Sequence, residues 1–99
     1  MLRHMVFWKI NEHEDAAGRL EIFETFKKKT YDLKLMIPET RDITVAMNTV
    51  GGDHYDICID GNFTCKEALD TYINHPEHLK VRAYIDTKTC AKTIFDYEV

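Results

Sequence analysis

The stretch from Leu2 to Ile10 alternates as a β-strand does, yet it is apolar on both of its faces. Successive side chains of a strand point to opposite sides of a sheet. Besides His4, one side carries four apolar residues, which are Leu2, Val6, Trp8 and Ile10. The other side carries Met5 and Phe7 between two basic residues. A strand with this pattern needs cover on both faces, so we expect helices of the same chain on one side and a second copy of the chain on the other.

Length and charge restrict the class of protein. The chain has 99 residues, 44% of them hydrophobic, which predicts a single domain over residues 1–99 with little margin for stability. Thirteen basic and seventeen acidic residues give a net charge of −4, and the only basic block is Lys27–Lys29. This profile excludes nucleic acid and anionic membranes as expected partners.

The cysteines indicate a reducing compartment. Cys58, Cys65 and Cys90 are odd in number and lack the spacing of a zinc knuckle or a disulfide framework. We interpret Cys58 and Cys90 as small buried side chains. The N-terminus lacks the apolar core of a signal peptide, and no segment reaches the ~20 apolar residues of a membrane span. A cytoplasmic location follows as the expectation.

The first helix is expected directly after the strand from Leu2 to Ile10. Asn11 followed by Glu14 resembles a capping box, and Pro38 stops a helix that reaches about Leu35. One face of this helix is expected to carry Ala16, Leu20, Phe23 and Phe26 or Lys27.

Three further strands and a broken helix complete the pattern. The strands are predicted at residues 42–49, Tyr55–Asp60 and Thr93–Val99, with a turn at Gly51–Asp53 between the first two. Thr64 and Glu67 form a second capping box, before a helix that carries Ala68, Leu69 and Tyr72. The order β-α-β-β-α-β predicts an α+β, ferredoxin-like subunit with a four-stranded antiparallel sheet and helices on one face only.

The second helix is interrupted at the segment from Tyr72 to His78. Pro76 fixes its own backbone and forces His75 out of the helical region, so a new helix should begin at Pro76 and run to about Thr87. His78 then lies in the first turn, where the helix dipole disfavours a positive charge and the neutral imidazole is able to accept a proton. Tyr72 ends the preceding helix and brings a phenol nearby.

Five segments of the chain, in order, carry a resemblance to a known family. They are Arg3–Lys9 with His4, Tyr55–Ile57, Phe63–Leu69, Tyr72–His78 and Phe95–Glu98. Together they make the chain similar to the stress-responsive dimeric α+β barrel (Dabb) family over nearly its whole length. The resemblance implies a homodimer in which two sheets close a barrel. It also implies that the His4 side of the first strand faces the helices, so that His4, Tyr72 and His78 line a pocket.

The resemblance also suggests residue roles. Polyketide cyclases of the wider family hold a tyrosine and a histidine at the positions of Tyr72 and His78, where the histidine acts as general base and the phenol binds the developing enolate. This implies catalytic roles for Tyr72 and His78, without any cofactor. Ile57 stands where a further histidine can occur, and His54 precedes that position. The remaining candidates for ligand contact are His4, Trp8, Phe23 and His75.

Other types of site are weaker predictions. His75 and His78, with Glu77 or Asp70, resemble a metal ligand set, but they flank a helix break and no third ligand is implied, so we expect no metal. The acidic residues Asp96 and Glu98 are interpreted as edge charges of the last strand.

Three functions remain open at this stage. The leading hypothesis is a barrel protein that binds a small organic ligand. The alternatives are a cofactor-independent cyclase, isomerase or lyase that uses a His/Tyr pair, and a purely structural protein with a filled core.

Overall fold

The computed structural model describes residues 1–40, 42–52 and 54–99. Its strands are β1 (Leu2–Ile10), β2 (Ile43–Met47), β3 (Ile57–Phe63) and β4 (Thr89–Glu98). Its helices are α1 (Ala16–Asp32), α2 (Lys66–Asn74) and α3 (Pro76–Lys88), with short 3-10 turns at Leu33–Leu35 and Pro38–Thr40. The β-α-β-β-α-β order with a split second helix is confirmed.

The strands form one antiparallel sheet in the order β2-β3-β1-β4. β1 is therefore central, and Met5 lies opposite Asp60 on one side and Phe95 on the other. The side of β1 that carries His4 and Trp8 is buried. It packs into a core that holds Phe26 of α1, among other helical residues.

The described residues place no layer over the opposite face of the sheet. Arg3 donates two hydrogen bonds to the Asp60 carboxylate, at 2.8 and 2.6 Å. Phe95 and Tyr97 of β4, on the same face as Met5 by register, are 59% and 38% exposed. The alternation along β1 thus separates a covered face from an open, partly apolar one, as the sequence indicated.

The predicted start of the first helix is wrong. Asp15 is the N-cap, and its Oδ1 accepts a hydrogen bond from the Gly18 amide at 2.8 Å. Asn11 instead belongs to the preceding turn, where its carbonyl accepts from the Glu14 amide at 3.1 Å. The buried face of α1 consists of Ile22, Phe23, Phe26 and Thr30. Leu20 lies more than a quarter turn from the centre of that face and is 53% exposed, contrary to expectation.

Other predicted element boundaries also differ from those in the structure. Cys65, not Thr64, is the N-cap of α2, and it makes no side-chain capping bond, so the second capping box is wrong as well. β3 and β4 are displaced from the predicted ranges because their pairing with β1 sets where they begin and end. Gly51 and Gly52 have φ of 82° and 86°, which agrees with the predicted turn, while Asp53 lies outside the described residues.

None of the helices in the described ranges is long and apolar enough to cross a membrane.

Candidate functional site

A cavity of about 100 Å³ lies between the sheet and the helices. This exceeds the roughly 10–15 Å³ that a single water requires. His4 and Trp8 of β1, Tyr72 of α2 and His78 of α3 all line it, so the structure brings together four of the six candidate residues.

Tyr72 and His78 are in contact, with ring centroids 4.3 Å apart. The helix break produces this contact because His75 is extended, at φ −65° and ψ 134°, and Pro76 starts α3. Tyr72 is 2% exposed, and burial raises the pKa of its phenol far above its ordinary value. Its hydroxyl has no hydrogen-bond partner among the described residues, so this phenol remains protonated and is free to donate.

His78 is held in one tautomer. Its Nδ1 lies 2.8 Å from the carbonyl oxygen of Ile73, which only accepts, so Nδ1 donates and Nε2 of the neutral ring keeps its lone pair. Burial lowers the pKa of His78, the nearby charges of Arg82 and Lys92 lower it further, and the Ile73 carbonyl opposes them. The neutral ring inferred from the sequence is thus favoured mainly by burial.

His4 is oriented by Asp96, which lies directly opposite it on β4. The Nδ1 of His4 is 2.5 Å from Asp96 Oδ1, and because a carboxylate only accepts, Nδ1 donates. His4 is 5% exposed, and its ring meets that of Tyr72 edge-on with centroids 6.5 Å apart. Asp96 is therefore more than the edge charge expected from the sequence, because it positions a histidine of the cavity wall.

Two buried polar atoms of the cavity wall lack a partner. Trp8 Nε1 and Thr30 Oγ1 make no hydrogen bond within the described part of the chain, although both side chains are nearly inaccessible to solvent. A buried polar group left unpaired costs about 1–3 kcal/mol. Thr30 was not among the sequence candidates, since a threonine inside a helix carries no signal of a binding site.

His75 and Phe23 are not part of the cavity wall. His75 acts as the N-cap of α3, and its Nδ1 accepts from the Glu77 amide at 3.1 Å. Phe23 of α1 is buried in the hydrophobic core of the domain, and Lys27 Nζ lies 5.6 Å from its ring centroid. These two candidate residues therefore lie outside the site.

Within the described ranges no three His, Cys, Asp or Glu side chains are grouped as a metal site would need. The three cysteines are free thiols. Cys90 is exposed and Cys58 only half-buried, which corrects the expectation that both are buried. Neither lines the cavity.

Solved structures similar to this chain share its fold. A dimeric protein of unknown function from Bacteroides fragilis, with a ferredoxin-like fold, has a TM-score of 0.91 at 23% identity, covering 99% of this chain and 95% of that one. A dimeric ferredoxin-like protein from Thermobifida fusca has 0.83 at 16% identity, covering 99% and 90%. Hydroxynitrile lyase from Passiflora edulis has 0.80 at 12% identity, covering 99% and 92%. A comparison with curated proteins finds no match.

A family model agrees with the resemblance seen in the sequence. The model described as the stress responsive A/B barrel domain matches residues 2–99. The chain accordingly belongs to the Dabb family.

Proposed function

We propose that this protein is a homodimer that binds a small organic molecule in the cavity between its sheet and its helices. The observation that carries the proposal is the wall of that cavity. In that wall, two histidines with hydrogen-bonded Nδ1 atoms stand beside the Tyr72 phenol, and most of the other residues are apolar. An enclosed apolar site with a few convergent polar groups is typical of small-molecule binding.

The open face of the sheet supports the dimer. Met5, Phe7, Phe95 and Tyr97 present apolar surface there, and a second sheet packed against it would bury this surface and close a barrel. The similar proteins from Bacteroides fragilis and Thermobifida fusca are described as dimeric.

The contact between Tyr72 and His78 favours a second candidate function, a cofactor-independent enzyme. Nε2 of neutral His78 is available to remove a proton from a carbon next to a carbonyl, and the Tyr72 hydroxyl is available to donate a hydrogen bond to the resulting enolate oxygen. The class of reaction would be aldol-type ring closure, isomerisation or a lyase reaction. A purely structural role has less support, because a filled core would not leave polar atoms unpaired beside a cavity.

Binding to variants of the cavity wall tests the proposal. Carbonyl-containing aromatic compounds would be screened by ligand-observed NMR, and hits titrated against the wild type, His78→Ala and His13→Ala. The His13 side chain is 76% exposed and outside the cavity wall, so its loss should change nothing. We expect His78→Ala to weaken binding about tenfold with the fold intact. Unchanged affinity in His78→Ala together with a large loss of thermal stability would favour the structural role. Turnover of a hit would separate the enzyme from the binding protein.

A further inference from the structure

The cavity opens between α3 and β4. Most of its wall is buried, whereas Arg82 of α3 and Lys92 and Ile94 of β4 are exposed. Lys92 lies opposite Trp8 in the sheet, and its Nζ is 5.9 Å from the Trp8 ring centroid. A ligand entering the cavity would therefore pass between the side chains of Arg82 and Lys92.

The charges around this opening are of one sign. Arg82 and Lys92 are among the residues that form the described cavity wall, and no Asp or Glu is among them. Asp86 pairs with Arg82 at 3.5 Å, with both side chains about half exposed, so it offsets part of the Arg82 charge but leaves Lys92 without an ion-pair partner. Asp96 already binds His4.

Lys92 is the less compensated of the two cations. No carboxylate of the described residues lies within ion-pair distance of its Nζ. Burial lowers its pKa, the charge of Arg82 lowers it further, and Asp86 only partly opposes them. Two like charges held together at a cavity entrance are a cost that a bound anion would remove.

We propose that the ligand of this cavity is a small organic carboxylate, whose apolar body occupies the interior and whose carboxylate lies between Arg82 and Lys92. This inference rests on the proposed binding function and adds the charge and the orientation of the ligand. The net charge of the whole chain is −4, so selection of an anion has to come from this local pair. The apolar interior of Val6, Phe26, Ile59 and Ile85 accepts an aromatic ring or a short alkyl chain.

A matched pair of probes tests the inference. 3-Phenylpropionate and 3-phenylpropanamide have nearly the same shape and differ in charge, so the ratio of their dissociation constants isolates the contribution of the carboxylate. Calorimetric titration of the wild type should show the acid binding about tenfold tighter, as expected for a hydrogen bond to a charged group. Lys92→Gln and Arg82→Gln should each bring the ratio towards one.

The controls distinguish this inference from the proposed function. Lys80→Gln removes an exposed cation of α3 that pairs with Glu77 outside the cavity wall, and it should keep the wild-type ratio. Lys92→Arg should also preserve the ratio, because it keeps the charge. Equal affinity of the wild type for acid and amide would overturn the carboxylate assignment while leaving a ligand-binding cavity. Failure of both probes to bind would count against the cavity function and against this inference with it.

Discussion

Replacing Tyr72 with phenylalanine removes one buried hydroxyl and keeps the ring. The ring packs between Phe63 and His78, with centroid distances of 5.4 and 4.3 Å, and phenylalanine retains both contacts. The hydroxyl makes no hydrogen bond among the described residues and is not one of the unpaired atoms sealed from solvent, so its desolvation costs at most the about 1–3 kcal/mol of a fully buried unpaired group. A cavity water bound to it would offset most of this cost. We therefore expect the free energy of unfolding of Tyr72→Phe to lie between no change and a gain of about 1 kcal/mol.

Tyr31→Phe is the matched control. The Tyr31 hydroxyl accepts a hydrogen bond from the Val45 amide at 3.1 Å, so removing it leaves a backbone donor of β2 without its partner. This variant should lose about 1 kcal/mol of unfolding free energy. The two substitutions delete the same atom and should change stability in different ways.

Urea unfolding followed by circular dichroism measures both variants. In a domain of this size a change of about 1 kcal/mol also moves the melting temperature by roughly 4–8 °C, well above the error of a thermal scan. A loss of more than about 1 kcal/mol in Tyr72→Phe would mean that the hydroxyl has a structural partner, and the reasoning that assigns it to a ligand would fail.

Two further predictions concern the open sheet face and the pH dependence of folding. Phe7→Asp places a charge at the proposed dimer contact and should give monomers or aggregates by light scattering. The control Leu35→Asp changes a side chain that is 87% exposed and away from the sheet, and it should leave the dimer unchanged. A wild type that is monomeric at micromolar concentration would refute the dimer. Because burial lowers the pKa of His78, the unfolded chain binds more protons below about pH 6.5, so stability should fall as the pH drops below that value. His78→Gln should make the unfolding free energy less dependent on pH in that range, and an unchanged dependence would contradict the assignment.

Much of the architecture was accessible from local signals. Pro76 constrains its own φ and the conformation of His75, so the break and the start of α3 followed from two adjacent residues. The alternation of β1 similarly separated the covered face from the open one. The order of elements and the family resemblance then indicated that His4, Tyr72 and His78 meet, and the cavity contains all three.

The ends of helices and strands could not be predicted from local signals where several residues or segments compete for the same role. Asn11, Asp15 and Thr64 are all good N-cap residue types, and only Asp15 caps a helix, because packing of α1 on the sheet decides which turn becomes its first. The ends of β3 and β4 follow from their register with β1, and a register is a relation between segments rather than a property of either one.

The sequence by itself determined the subunit type and the helix break, since each depends on neighbouring residues or on the order of segments, and the family resemblance suggested four side chains of the cavity wall. Only the tertiary structure decided which other side chains reach that wall. Asp96 meets His4 across 92 positions of the chain, and Lys92 lies over Trp8 through the same strand pairing. His75 and Phe23 were both plausible site residues by type. In the structure His75 caps α3, and Phe23 packs in the core. Side-chain direction depends on register and on helix rotation, which are settled only when the sheet and the helices pack together.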